Sequence, residues 1–228
     1  MKELDGFTNV VSAARSYFQT RLAAGEDSIV LSLAKGRLRN AVRSPEEALV
    51  KLQKKVAACK KCPLHRTRTN VVFGTGSGKT GLVFVGEAPG RDEDLQGKPF
   101  VGRAGQLLTR IIEAVKLDRE DVYITNVIKC RPEGNRDPLP QEIELCSVYL
   151  AEQLEILKPK AICALGRFAA QAMSGLKLSM ADYRNESLFY GGTRVIATYH
   201  PAACLRNPSL KRPVWEDVQK LMEVCKNA

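Results

Sequence analysis

The sequence predicts an α/β fold, a three-layer α/β/α sandwich whose central, mostly parallel four-stranded sheet is covered by helices on both faces. Three observations carry this. Apolar segments of strand length at 82–86, 122–128, 161–165 and 194–199 alternate with helical segments at 104–116, 140–157, 167–174 and 213–225, the order of βα units on a parallel sheet. The strand segments LVFV and AICAL are apolar throughout rather than at every second position, as strands buried on both faces require. Finally, a long glycine-rich loop at 86–108 follows the first strand, and open α/β sheets bind ligands beyond the carboxyl ends of their strands.

Taken in order, residues 1–44 read as an N-terminal helical extension. Phe7, Val10, Val11, Ala14, Phe18 and Leu22 recur at helical spacing, and Gly25 is a natural stop. No chemistry is visible there. The main domain, 45–228, begins with a helix for which Ser44 is the N-cap, Pro45 the first helical residue and Glu47 the closing member of a capping box. Leu49, Leu52 and Val56 mark one face of this helix, which runs into Cys59-Lys60-Lys61-Cys62-Pro63 and stops at the proline. Gly74-Thr75-Gly76-Ser77-Gly78-Lys79-Thr80 invites a nucleotide-binding reading and fails it. Three residues rather than four separate Gly74 from Gly78-Lys79, and the segment precedes a strand instead of following one. A flexible turn is expected instead. In the loop at 86–108 the glycines allow backbone to approach a ligand, and the helix starting near Ala104 offers free N–H groups to an anion.

The balance of 35 Lys and Arg against 25 Asp and Glu, a net +10, favours a polyanionic partner, nucleic acid first. No apolar run approaches the roughly 20 residues of a membrane span. The first residues lack the basic-then-apolar order of a signal peptide. A soluble cytoplasmic protein with no membrane partner is therefore expected, in which seven cysteines call for metal ligation or burial rather than disulfides.

Cys59 and Cys62 form a C-x2-C pair, Cys130 lies just past the second strand, and Cys146 falls between Ile143 and Leu150 on the apolar face of its helix. Four thiolates gathered in this way suit a tetrahedral sulfur site, iron–sulfur or zinc, and ligand softness does not separate the two. Cys163 and Cys225 read as small core hydrophobes, Cys204 as incidental and His65 as a surface residue. Trp215, at helical spacing with Val218, Met222 and Cys225, reads as core.

Four longer motifs carry a resemblance: GEAPG (86–90), GKPFVGRAGQLL (97–108), TNVIKCRP (125–132) and YHPAACLRNPSLKRPVWEDV (199–218). Together with the C-x2-C at 59–62 and the 15-residue gap between Cys130 and Cys146, their order and spacing resemble the family 4 uracil-DNA glycosylases over roughly 46–225. Residues 1–44 lie outside it. The resemblance implies a [4Fe-4S] cluster of structural role ligated by Cys59, Cys62, Cys130 and Cys146. It implies hydrolysis of the N-glycosidic bond of deoxyuridine in uracil-containing DNA, single- or double-stranded, by a monomer with no lyase activity.

The roles implied for individual residues follow the chemistry of a flipped base. Phe100 resembles the family's stacking aromatic, since a ring contacts a base face without needing hydrogen bonds. Asn126 ends the second strand, and its amide is complementary to uracil N3–H and O4 and mismatched to cytosine. His200 resembles the histidine that donates to uracil O2, where negative charge grows as the bond breaks. Gly86, Ala88 and Gly90 would line the pocket. In family 1 an aspartate stands where this chain has Ala88, and a thymine-excluding tyrosine where it has Gly90. Glu87 is then the nearest carboxylate to orient water or shape the pocket near uracil C5. In Ala202-Ala203-Cys204-Leu205-Arg206, Leu205 would wedge into the minor groove and Arg206 meet phosphate. Two other classes share part of the pattern, a non-catalytic iron–sulfur DNA-binding relative and an electron-transfer protein, and the second leaves the base-shaped motifs unexplained.

Overall fold

The computed structural model describes residues 44–227, so the helix expected within 1–44 lies outside the described residues. The chain after the opening helix α1 (Pro45–Ala57) builds one sheet from β1 (Leu82–Gly86), β2 (Tyr123–Asn126), β3 (Ala161–Leu165), β4 (Leu188–Tyr190) and β5 (Thr193–Thr198). Its strand order is β2-β1-β3-β5-β4. The first four of these run parallel, as expected, and β4 pairs antiparallel with β5 at the edge. The sheet thus has five strands rather than four. The additional strand is three residues long, with an exposed Phe189 at its centre, and is too short and too open to leave an apolar run in sequence.

The helices are α2 (Arg91–Gln96), α3 (Arg103–Ala114), α4 (Pro140–Leu157), α5 (Arg167–Ser174), α6 (Met180–Asn185), α7 (Pro201–Arg206) and α8 (Lys211–Asn227). Alternation along β1 explains the layers. Val83 and Val85 face a core shared with Leu150, Leu154, Ala169 and Ala170 of α4 and α5. Leu82 and Phe84 face the opposite core, with Leu108 and Ile112 of α3 and Leu221 of α8. These four β1 residues are apolar because a helix covers either side of the strand. Among the described residues no helix is long and apolar enough to cross a membrane.

Helix α6 also has no counterpart among the expected elements, and other segments differ as well. Arg91–Gln96 is a helix inside the glycine-rich loop, ended by Gly97 at φ 68°; six residues give too little periodicity to see. Residues 201–206, the segment that the resemblance brings to the DNA minor groove, form a helix opened by Pro201. The segment 74–80 is a turn, but a pinned one. Thr75 bridges to Ile124 along the outer edge of β2, Ser77 N donates to Glu120 O, and Lys79 pairs with Asp121 at 2.7 Å. Gly76, at φ 101°, comes so close to Val122 O that an added Cβ would lie 1.8 Å from it, so glycine is required and the sheet edge is closed to further strands.

Candidate active site and cysteine pocket

The ends of β1 and β2 lie side by side, with Gly86 paired to Asn126, while β5 delivers its C-terminal end two strands away. A cavity of about 430 Å³ opens there and is lined by Glu87, Ala88, Gly90, Phe100, Asn126 and His200, with Arg206 at its edge. Six positions expected from separate motifs therefore share one wall. Gly86 lies just behind it. A Cβ there would stand 2.4 Å from Asn126 Oδ1 and 2.6 Å from Phe100 Cζ, so the missing side chain is the space in which these two groups sit.

Phe100 takes the left-handed conformation, φ 53°, which costs a non-glycine residue on the order of 1 kcal/mol or more. What over-determines it is local. Arg119 donates from Nη2 to the carbonyls of Pro99 and Phe100 at 2.8 and 3.0 Å, and from Nη1 to Thr109 Oγ1 at 2.9 Å. Gly105 lets α3 close against the Phe100 carbonyl, where any Cβ would be 1.8 Å from the oxygen. Glu93 Oε1 accepts from the N–H groups of Val101 and Gly102 at 3.0 and 3.1 Å. Neither Arg119 nor Glu93 was visible from sequence, because each acts on backbone brought near it only by folding.

Asn126 is 1% exposed, and its Oδ1 is a buried acceptor without a hydrogen-bond partner among the described residues. A lone buried acceptor is costly unless a ligand donor completes it. Its backbone is fixed by Lys129, fully buried, whose ammonium donates to Asn126 O at 2.7 Å, Thr125 Oγ1 at 2.7 Å and Gln153 Oε1 at 2.6 Å. Burial brings the Lys129 pKa down to about 7.

His200 caps α7: Nδ1 accepts from the Ala202 N–H at 3.1 Å. A neutral imidazole accepting at Nδ1 carries its proton on Nε2 and is a donor there. Burial, helped by the positive charge of Arg206, lowers its pKa to about 4, which keeps the ring neutral. Its centroid lies 5.5 Å from that of Phe100, the planes tilted by 30°. Gly166, at φ 91°, leaves room for His200, an added Cβ there lying 3.1 Å from its Cβ. At the cavity wall Glu87 has its pKa raised to about 7, chiefly by burial and further by Asp137, with Arg167 opposing.

The α7 residues divide. Arg206 is exposed at the cavity rim, whereas Leu205 is half-buried against the cluster of Leu107, Cys204, Val214 and Val218. The position expected to wedge DNA thus packs on its own domain here. Trp215, read as core, is 40% exposed, because α8 turns Val214 and Val218 inward and leaves residue 215 outside that stripe. Cys163 is buried in the core as expected, while Cys225 is only half-buried.

On another part of the domain Cys59, Cys62, Cys130 and Cys146 line a single pocket together with Lys61, Arg68 and Lys129. Arg68 Nη1 donates to Cys130 Sγ at 3.1 Å. His65, read as a surface residue, is half-buried in the same wall with Nδ1 2.7 Å from Cys62 O. Burial raises the thiol pKa of Cys62 and Cys130, and that of Cys146 to about 11, so ligation must displace protons. Among the described residues no three His, Cys, Asp or Glu side chains are grouped to hold a metal ion. Four soft donors lining one pocket suit an iron–sulfur or zinc group, and three cationic side chains suit the negative charge of its thiolates.

The sheet order, the covered faces and a cavity at the strand ends define the class. Residues 73–219 match the model of the uracil DNA glycosylase superfamily. The type-4 uracil-DNA glycosylase of Archaeoglobus fulgidus is 49% identical over 187 residues, 78% of this chain and 94% of its own length. That of Thermotoga maritima is 46% identical over 185 residues, 79% of this chain and 96% of its own. A type-5 uracil-DNA glycosylase of Pyrobaculum aerophilum is 33% identical over 135 residues, 56% of each chain. This chain belongs to the type-4 uracil-DNA glycosylase family.

Proposed function

We propose that the protein hydrolyses the N-glycosidic bond of deoxyuridine in DNA and leaves an abasic site, the first step of base excision repair. The observation that carries this is the unpartnered Oδ1 of buried Asn126 beside Phe100 and His200 in one cavity, in a chain of this family. The flipped uracil stacks on Phe100. Asn126 Oδ1 accepts from N3–H and Nδ2 donates to O4. Cytosine offers an acceptor at N3 and a donor at N4, so it would leave both amide groups unpaired, and a mismatch of that kind discriminates strongly. Nε2–H of neutral His200 donates to O2. That bond strengthens as the departing base gains negative charge, so it lowers the barrier rather than merely tightening binding. Glu87 orients the water and shapes the pocket near C5, and Arg206 holds phosphate at the rim.

Cys59, Cys62, Cys130 and Cys146 would hold a [4Fe-4S] cluster. When bound, it cross-links the end of α1, the segment after β2 and α4 and takes no part in bond cleavage. Support comes from the donor set and its cationic surroundings. Iron analysis with a visible spectrum tests it, and Cys146→Ser should lose the chromophore and destabilise the fold.

Incubating iron-replete protein with a uracil-containing oligonucleotide, then alkali, should cleave the strand at the uracil. Intact DNA would overturn the enzymatic reading and favour a non-catalytic DNA-binding relative. Asn126→Asp should damage uracil selection while leaving cluster content unchanged.

A further inference from the structure

A second cavity, of about 320 Å³, is lined by Leu107, Ile111, Val214 and Trp215, with Arg110 and Lys211 among its lining residues. The proposed reaction uses none of them. We infer that it carries the single strand away from the excision site, Trp215 stacking an unpaired base and Arg110 and Lys211 holding the adjoining phosphates. This rests on the reading of the protein as a uracil-DNA glycosylase and extends its interactions with the substrate.

Position argues for it first. Ala104 lines the uracil cavity, and Leu107, Ile111 and Ala114 line the second one. Spacings of three, four and three place all four on one stripe of α3. Ala104 and Ile111 are therefore about 10 Å apart along the helix, the rise of one to three nucleotides of a strand. Helix α7 joins the cavities in the same way, with Ala202 and Arg206 on one and Cys204 on the other.

Chemistry argues for it second. A ring 40% exposed beside an apolar floor is what a base face needs, and stacking of this kind tolerates any base. Arg110 and Lys211 are exposed and make no ion pair among the described residues. The adjacent carboxylate of Glu216 is engaged, 3.3 Å from Arg212 and 3.8 Å from Arg184. An apolar slot with free cations suits a strand of bases and phosphates. A paired base would not present its face, so the site selects unpaired DNA.

The chain has a single tryptophan, so its emission reports this cavity. Full-length protein titrated with oligothymidylate, which has no uracil to excise, is expected to show saturable quenching weakened by salt. Arg110→Gln with Lys211→Gln should weaken that affinity about tenfold and flatten the salt slope by about 0.7 for each phosphate no longer neutralised. On a long single-stranded uracil substrate, Trp215→Ala should raise KM about tenfold with kcat unchanged. Deleting the base one to three nucleotides from the uracil should impair the native enzyme and leave Trp215→Ala indifferent. Unchanged emission with uracil release intact would overturn the inference and leave the cavity to a protein segment. So would an equal effect of Trp215→Ala on strands with and without the neighbouring base. Quenching without uracil release would instead overturn the glycosylase reading and leave only single-strand binding at this cavity standing.

Discussion

Replacing Gly86 by alanine tests how tightly the base pocket is built. The added methyl would sit 2.4 Å from Asn126 Oδ1, 2.6 Å from Phe100 Cζ and 2.7 Å from Phe100 Cε2. The strand cannot retreat: Gly86 is paired with Asn126 across the sheet, and its carbonyl accepts from Val127 N at 2.9 Å. Phe100 cannot swing freely either, since Arg119 and Gly105 hold its backbone. Both groups must then move by about 1 Å to reach ordinary van der Waals separation, and a misplacement of that size costs roughly a hundredfold in rate. Overpacking also lowers stability by about 1–3 kcal/mol. The assay is kcat/KM for release of labelled uracil, beside thermal denaturation and iron content to show that the fold and cluster persist. A variant within about threefold of wild type, less than 1 kcal/mol of barrier, would refute the claim that this glycine is the space for the pocket.

Other expectations rest on the same geometry. If ionised Glu87 orients water, kcat should rise with pH through a limb near 7, the value to which burial lifts its pKa, and Glu87→Gln should erase that limb. His200 has its pKa depressed from an ordinary 6.5 to about 4, so its burial as the neutral form contributes stability above pH 6.5 that is lost as pH falls through 4; urea unfolding of wild type and His200→Gln across that window measures it. Arg119→Ala should lower kcat/KM about tenfold or more by releasing the Phe100 turn. Arg119→Lys, a single ammonium without the fork, should recover only part of that activity. Asp217, 1% exposed, accepts from Arg184 Nε at 2.6 Å and Thr198 Oγ1 at 2.7 Å and so ties α8 to the strand that delivers His200. Asp217→Ala should cost about 3 kcal/mol, a fall in Tm of roughly 10 °C, read by calorimetry.

The parallel sheet, its two helical covers and the family were legible in the order of residues. Apolar runs such as LVFV exist because a helix lies on each side, so burial is written into composition. Motif order likewise pointed to Phe100, Asn126, His200 and the four cysteines through the family resemblance, and the first three line one cavity and the cysteines another. Folding alone decided what those residues touch. Arg119, Glu93 and Lys129 act on carbonyls, amides and side chains that become neighbours only after the sheet closes, and no local spacing encodes such pairs. The same holds for Trp215 and Leu205. A helical stripe of period 3.6 tells which residues share a face, but the partner that comes to cover that face is a tertiary fact. Trp215, spaced like a core residue, lies outside the buried stripe of its helix, and Leu205, which the family resemblance offers as a wedge into DNA, is half-buried against the domain.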